Sequence, residues 1–409
     1  MITVNRFTLS NGLRVVHNHD SATAMVALDI LYNVGSRDER PERTGMAHLF
    51  EHLMFGGSEN VAEFDKALEN AGGTNNAWTN SDFTNFYDIV PAHNAETAFW
   101  LESDRMKGLA FSDKALEVQR QVVCEEFKQV CLNQPYGDLQ HYLNGLAYKE
   151  HPYRTPVIGK ELSHIENVTQ DEVRRFFYDH YAPNNAVISV TGNITLEQTR
   201  EFVEKWFSDL PMRKIAPRLY NQEPEQTEPR RLTVTGRAPQ TVIVKAYHMP
   251  GYSHPDYPAC DIITDLLALG RASRFYRKLM LGTEMFTKAD ASITGSDEPG
   301  LLMLYGYLRD GVSVDEAEKA LTDEAMSLID NPPSDYELQR TLNRFESNFT
   351  FGSMNYVALA STLTLSEMRG EDVNSIIPRY RRLTSPDIAR VASMILRPEN
   401  SSTLIYKPA

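Results

Sequence analysis

The sequence predicts an α+β protein made of two related halves, and three observations carry that expectation. The chain has 409 residues, long for one hydrophobic core and natural for two domains of about 200 residues. A helix–turn–strand unit occurs twice. Thr169-Gln170-Asp171-Glu172-Val173 corresponds to Thr384-Ser385-Pro386-Asp387-Ile388, Pro183 to Pro398 and Asn185 to Asn400, all at one constant offset. A register shared across helix, turn and strand points to two copies of one domain. Finally, segments of helical period alternate with short hairpin-like strands, which favours α+β layers over a parallel, doubly wound sheet.

The elements follow in order. Phe7–Val16 predicts two short strands that form a hairpin around Asn11-Gly12. Residues 24–32 read as a third strand. A helix follows through Met46–Phe55, with Thr44 as its expected N-cap and Gly56-Gly57 as its end. A helix over 61–71 stops at Gly72-Gly73, and a strand pair covers about 74–90. Helices are expected over 94–108, 113–131 and 169–181, a strand over 186–190, and a helix over 195–207. Between Asp209 and Arg231 the composition shifts to Pro211, Pro217, Pro229 and a run of Glu, Gln and Arg, which is linker chemistry. Strands near 231–249 and a helix near 256–269 open the second half. The domain expectation is therefore 1–210, a linker at 211–230, and 231–409, with the metal motif described next confined to the first half.

Composition narrows the function. Net charge is −14, from 41 Lys and Arg against 55 Asp and Glu, with no basic cluster, which argues against nucleic acid and anionic membranes as partners. Three cysteines, Cys124, Cys131 and Cys260, give neither a disulfide framework nor a C-x-x-C site, and suit a reducing compartment. Met1–Arg6 does not begin an apolar signal segment and no stretch approaches a membrane span. The expected location is the cytoplasm, or the periplasm if a signal peptide has been trimmed.

The chemistry centres on His48-Leu49-Phe50-Glu51-His52, whose His48, Glu51 and His52 are the three polar members of an otherwise apolar run from Met46 to Phe55. On a helix, positions 48, 51 and 52 share one face. Two imidazoles at i and i+4 can grip one metal ion, and the neighbouring carboxylate can handle protons. H-x-x-E-H is the inverted order of the zincin motif H-E-x-x-H. Its chance expectation here is on the order of 0.02 occurrences. A catalytic zinc takes three protein ligands and keeps one open position. The best source of the third is the helix through Arg120–Phe127, which carries the adjacent acids Glu125 and Glu126.

These pieces together resemble the pitrilysin-type inverzincin peptidases, the family of insulin-degrading enzyme and the mitochondrial processing peptidase. The resemblance covers essentially the whole chain. It rests on Ser10-Asn11-Gly12-Leu13, Gly45-x-x-His48-x-x-Glu51-His52, Gly72-Gly73-x-x-Asn76-Ala77, Val122-Val123-x-Glu125-Glu126, His151-Pro152-Tyr153 with Pro156-Val157-Ile158-Gly159, and Tyr181-x-Pro183-x-Asn185. The resemblance implies that each half is a mostly antiparallel sheet packed with helices, and that such domains enclose a chamber for peptides or unfolded segments. It makes Glu126 the third zinc ligand, with Glu125 the alternative, and places Gln119 where the family commonly has a supporting acid. It puts Asn76 and Ala77 on the substrate-binding strand, where a peptide adds by backbone hydrogen bonds.

The implied activity is that of a zinc-dependent endopeptidase, with one Zn²⁺ per chain and Glu51 as general base toward zinc-bound water. The alternative is a scaffold or binding subunit that retains zinc. In active family members a domain without the metal motif supplies an Arg and a Tyr about two helical turns apart. Here those positions fall on Met280 and on Thr287 or Phe286. The implied assembly is a heterodimer with a homologous subunit that lacks H-x-x-E-H and supplies both groups, or a homodimer in isolation.

Overall fold

The computed structural model describes residues 1–218 and 220–409; Leu219, inside the expected linker, lies outside the described residues. The chain forms two compact units. One comprises Met1–Phe127, Thr155–Leu219 and Phe349–Ser375, the other Lys128–Arg154, Tyr220–Asn348 and Ile376–Ala409. Two segments thus cross the boundary read from the sequence, 128–154 into the second unit and 349–375 into the first.

The first unit is built on a six-stranded sheet of β1 (Asn5–Thr8), β2 (Arg14–His19), β3 (Met25–Tyr32), β4 (Thr74–Thr79), β5 (Thr84–Pro91) and β6 (Ala186–Gly192). The spatial order is β1-β2-β6-β3-β5-β4. The second unit has β7 (Arg230–Gly236), β8 (Val242–Met249), β9 (Phe286–Ile293), β10 (Gly300–Leu308) and β11 (Ser401–Pro408), in the order β7-β11-β8-β10-β9. Apart from the extra β1, the two orders are the same. Each sheet is antiparallel except for one pair, β2 with β6 and β7 with β11. In both, the last strand inserts between the first two of the shared pattern, and a strand returning from a distant crossover can enter there in parallel.

The repeated residues do the same work in both units. Thr169 and Thr384 cap their helices, Gln170–His180 and Ser385–Ile395, in reciprocal capping boxes with Glu172 and Asp387. Asn185 Nδ2 donates to His180 O at 2.8 Å and Asn33 O at 3.3 Å. Asn400 Nδ2 donates to Ile395 O at 2.8 Å and His248 O at 2.9 Å. Each Asn therefore ties the end of its helix to the neighbouring strand, an amide role that no apolar residue could fill.

β3 and β6 are buried along almost their whole length, so both faces of the sheet centre must be covered. One cover is the helix Tyr356–Met368, from the far end of the sequence, which packs on β3 and β6. Polar residues are among those turned toward it. Asp29 accepts hydrogen bonds from Ser361 Oγ at 2.6 Å, Thr364 Oγ1 at 2.7 Å and Asn85 Nδ2 at 2.7 Å. Thr191 Oγ1 donates to Tyr356 O at 2.6 Å. In the second unit the helix Leu139–Ala147 packs on β7, β8 and β11, and Tyr406 Oη donates to Asp138 Oδ1 at 2.7 Å.

Burial pushes the Asp29 carboxyl up to about 6, against the three donors that favour its ionised form. A carboxyl raised above its unfolded value holds its proton more tightly when folded, so its contribution to stability falls as pH rises from about 4 to about 6 and is flat above. Asp29→Asn should lose this dependence. Denaturant unfolding at pH 7.5 and pH 5 should show wild type gaining on the variant by about 1 kcal/mol at the lower pH. An equal difference at both pH values would remove Asp29 as the titrating group.

Candidate metal centre

The motif lies on the helix Met46–Leu53. Met46, Ala47, Leu49, Phe50 and Leu53 are buried in the core of the first unit, and this fixes which way the helix is turned. His48, Glu51 and His52 fall on the remaining face and stay partly accessible. The helix does not begin as its sequence suggested. Its N-cap is Gly45, in the left-handed region at φ 85°, and a Cβ there would lie 2.5 Å from Ile165 Cδ1. The free N–H groups go to Glu39, whose carboxylate accepts from Gly45 N and Ala47 N, both at 2.8 Å. Thr44, the expected cap, instead pairs with His164 Nδ1 at 2.8 Å and accepts from Lys160 N at 2.8 Å. A long Glu six residues upstream reaches this terminus because the loop folds back over it. Loss of hydration pushes Glu39 up to about 8, with the two N–H donors opposing.

The second element is the helix Asp113–Phe127. Its expected extension to 131 ends earlier, and residues 128–133 form a wider π-type turn. Leu116, Val123, Cys124 and Phe127 are its buried side. That rotation leaves Glu125 exposed and Glu126 half-buried, facing the motif. Gln119 is half-buried two turns before Glu126.

His48, His52 and Glu126 converge. Their ligand atoms all lie within 4.8 Å of one another, and among the described residues they form the cluster able to hold a metal. His48 Nε2 and His52 Nε2 are 3.4 Å apart. Glu126 Oε2 is 3.4 Å from His52 Nε2 and 3.7 Å from His48 Nε2. Four ligands about 2.1 Å from a tetrahedral zinc are separated from each other by about 3.4 Å. The three atoms already stand at that spacing, so the donor set fits the ion. The protonation states suit it too. Burial pulls His48 below the ordinary imidazole value, with Glu126 opposing. Glu126 is held low, first by its hydrogen bond with His52. A neutral imidazole and an ionised carboxylate are the ligating forms.

Glu51 lies outside the triad. Its Oε2 accepts a hydrogen bond of 2.6 Å from Thr79 Oγ1. Thr79 ends β4, the edge strand on the far side of β5. On β4, Asn76 is exposed with its Oδ1 accepting from Ala77 N at 2.8 Å, and Ala77 packs against the core. Trp78 and Tyr87 are half-buried, and Phe86 is fully buried core. The Thr79 contact and the Glu39 cap were not legible in the sequence. Both depend on segments brought together by folding, and neither residue carries a motif.

Other groups have structural partners. His17 is buried and its Nε2–H donates to Ile194 O at 3.0 Å. His151 is buried against Tyr148, Tyr153 and Tyr220. In the second unit, Arg274 forms a two-pronged ion pair with Glu337, both bonds 3.0 Å. Phe286 is fully buried, and Thr287 Oγ1 accepts from Gln240 Nε2 at 2.7 Å. Cys124, Cys131 and Cys260 are buried thiols. No helix among the described residues is long and apolar enough to cross a membrane.

The chain combines two units of mixed sheet and helix with a His-His-Glu cluster able to hold a metal, and comparison with known proteins gives the family. Residues 14–161 match the family described as Insulinase (Peptidase family M16), and residues 167–345 match the Peptidase M16 inactive domain. The chain belongs to the M16 peptidase family. It is 29% identical to zinc protease PqqE of Helicobacter pylori over 98% of this chain and 92% of that protein. It is 25% identical to a probable mitochondrial-processing peptidase subunit beta of Schizosaccharomyces pombe, covering 95% of this chain and 88% of that one. The crystal structure of a protease from Helicobacter pylori superposes with a TM-score of 0.94 at 25% identity, covering all of both chains.

The helix rotation separates the two adjacent acids. Glu126→Gln should weaken zinc binding by about a hundredfold or more, beyond the range for losing a supporting partner, whereas Glu125→Gln should change it little. Competition with a chelator of known affinity measures both, and the reverse order would reassign the ligand.

Proposed function

We propose that this chain is a zinc-dependent endopeptidase whose metal is held by His48, His52 and Glu126, with Glu51 as general base. The observation that carries this reading is the spacing of the three ligand atoms, 3.4 to 3.7 Å, in a chain whose first half matches the M16 peptidase family. A bound zinc would polarise the scissile carbonyl and acidify the attacking water. The chain's own residues do the rest. Glu51, one residue from a ligand and outside the triad, takes the proton of the attacking water and passes it to the leaving amine. Gln119 supports Glu126 as a neutral hydrogen-bonding group. The substrate lies along β4, whose outer edge has no strand neighbour among the described residues. Backbone pairing there, with Asn76 and Ala77 on the strand, would accept many side-chain sequences.

The catalytic half is 1–210 and the half without the metal motif 231–409, joined through 211–230. Met280, and Thr287 or Phe286, stand where active relatives would place an Arg and a Tyr, and Arg274 nearby is committed to Glu337. The chain therefore works with a homologous subunit of similar length that supplies both groups, and one relative is itself named a beta subunit. A scaffold that merely retains zinc is the second reading. The family description favouring it, an inactive domain, falls on 167–345 and leaves the motif-bearing segment outside.

Glu51→Gln should keep about one zinc per chain and lose turnover by about 10²-fold or more, because it removes a base and not a ligand. Metal analysis with a quenched-peptide assay checks both, and near wild-type turnover would reject Glu51 as the base. Adding the homologous subunit should raise turnover of the isolated chain by about tenfold or more, the scale of one missing transition-state contact. Full activity from the isolated chain, unchanged by that addition, would reject the two-subunit reading.

A further inference from the structure

We infer that Thr79 is a positioning residue for the reaction: its hydroxyl holds the Glu51 carboxylate in the orientation that receives the water proton, and so ties the base to the strand along which the substrate lies. The inference rests on the reading of Glu51 as general base.

The contact is specific. Thr79 Oγ1 donates to Glu51 Oε2 at 2.6 Å, within the range of a charge-assisted O–H···O⁻ bond. Among the described residues it is the hydrogen-bond partner of that carboxylate. Glu51 comes from a helix whose apolar side is locked into the core, but its own chain has three rotatable bonds and lies partly open to solvent. Without a partner, the carboxylate would sample several rotamers. With Oε2 engaged, Oε1 remains for the water proton, since an ionised carboxylate accepts at both oxygens.

The location adds a second consequence. Thr79 closes β4, and the same strand carries Asn76 and Ala77 on the open edge of the sheet. A peptide that pairs with β4 stiffens the strand that aims the base. Thr79 thus makes the proton-accepting geometry depend on the segment that binds substrate.

The test compares two substitutions of similar size. Thr79→Val removes the hydroxyl and keeps the β-branched shape, while Thr79→Ser keeps the hydroxyl. In the zinc-loaded protein, with the homologous subunit present where turnover requires it, Thr79→Val should lower kcat by about 10- to 100-fold, the scale of a misplaced catalytic group. KM, zinc content and Tm should be unchanged. Thr79→Ser should restore kcat to within about threefold of wild type, the hydroxyl being retained. A crystal structure of Thr79→Val should show the Glu51 carboxylate in more than one rotamer, a readout that does not depend on turnover. In a Glu51→Gln background, Thr79→Val should cost little more, because the two groups act as a unit. Unchanged kcat in Thr79→Val, an effect confined to KM, loss of zinc, or failure of Ser to rescue would each overturn the inference. Failure of the general-base reading is separate: it would appear as retained turnover in Glu51→Gln itself.

Discussion

The site depends on one packing constraint, the burial of the apolar side of Met46–Leu53 in the core of the first unit. Five apolar residues of an eight-residue helix are buried. At about 25 cal/mol per Å² of apolar surface, side chains of this size are worth roughly 1.5–3 kcal/mol each when fully buried, Ala47 less. That stabilisation sets the rotation of the helix, and the rotation places His48, Glu51 and His52 together on the other side. A slip of one residue would turn a histidine into the core and expose a leucine. The same logic governs the helix Asp113–Phe127, where Leu116, Val123, Cys124 and Phe127 point inward and leave Glu126 opposite the histidines. The placing of these side chains is therefore a by-product of two apolar faces meeting one core.

Electrostatics then completes what packing begins. Two imidazole nitrogens 3.4 Å apart and a carboxylate beside them make a concentrated donor set with little capacity to satisfy itself. Each imidazole carries at most one acceptor nitrogen when neutral, and the carboxylate has no donor at all. A divalent cation would engage all three groups at once, which the single Glu126–His52 hydrogen bond does not. Nearby, Glu39 spends its carboxylate on the helix N-terminus and Glu51 its Oε2 on Thr79. Three acidic side chains around one short helix thus have three different partners, and this separates the proposed ligand and the proposed base from the cap.

The exchange of segments between the two halves of the sequence is also physical. Each central sheet needs cover on both faces, and in each unit part of it comes from the other half of the sequence: Tyr356–Met368 in the first, Leu139–Ala147 in the second. The polar residues Asp29, Asn85 and Thr191 make sense only with that helix in place, because an unpaired buried carboxyl would cost several kcal/mol. An exchange of this kind makes the two halves interdependent even though each repeats the other's strand order.

The sequence by itself determined the α+β class, the two-fold repeat through Thr169, Asn185, Thr384 and Asn400, most element positions, and the His48–Glu51–His52 face. Those follow from local periodicity, caps and turns, which neighbours in the chain dictate. It narrowed the candidate third ligand to two adjacent acids, and only a family resemblance chose Glu126. Tertiary structure decided the rest. The rotation of a long helix around its axis is set by what it packs on, so Glu126 could be separated from Glu125 physically only when the core was present. Gly45 with Glu39, not Thr44, caps the metal helix, because a folded-back loop competes with the local Thr for the same N–H groups. The helix over 61–71 shortens to Phe64–Asn70, and the Thr79–Glu51 contact joins residues 28 apart in sequence. The segment exchange has no local signature at all, since a helix that covers a distant sheet is written in its sequence like any other amphipathic helix.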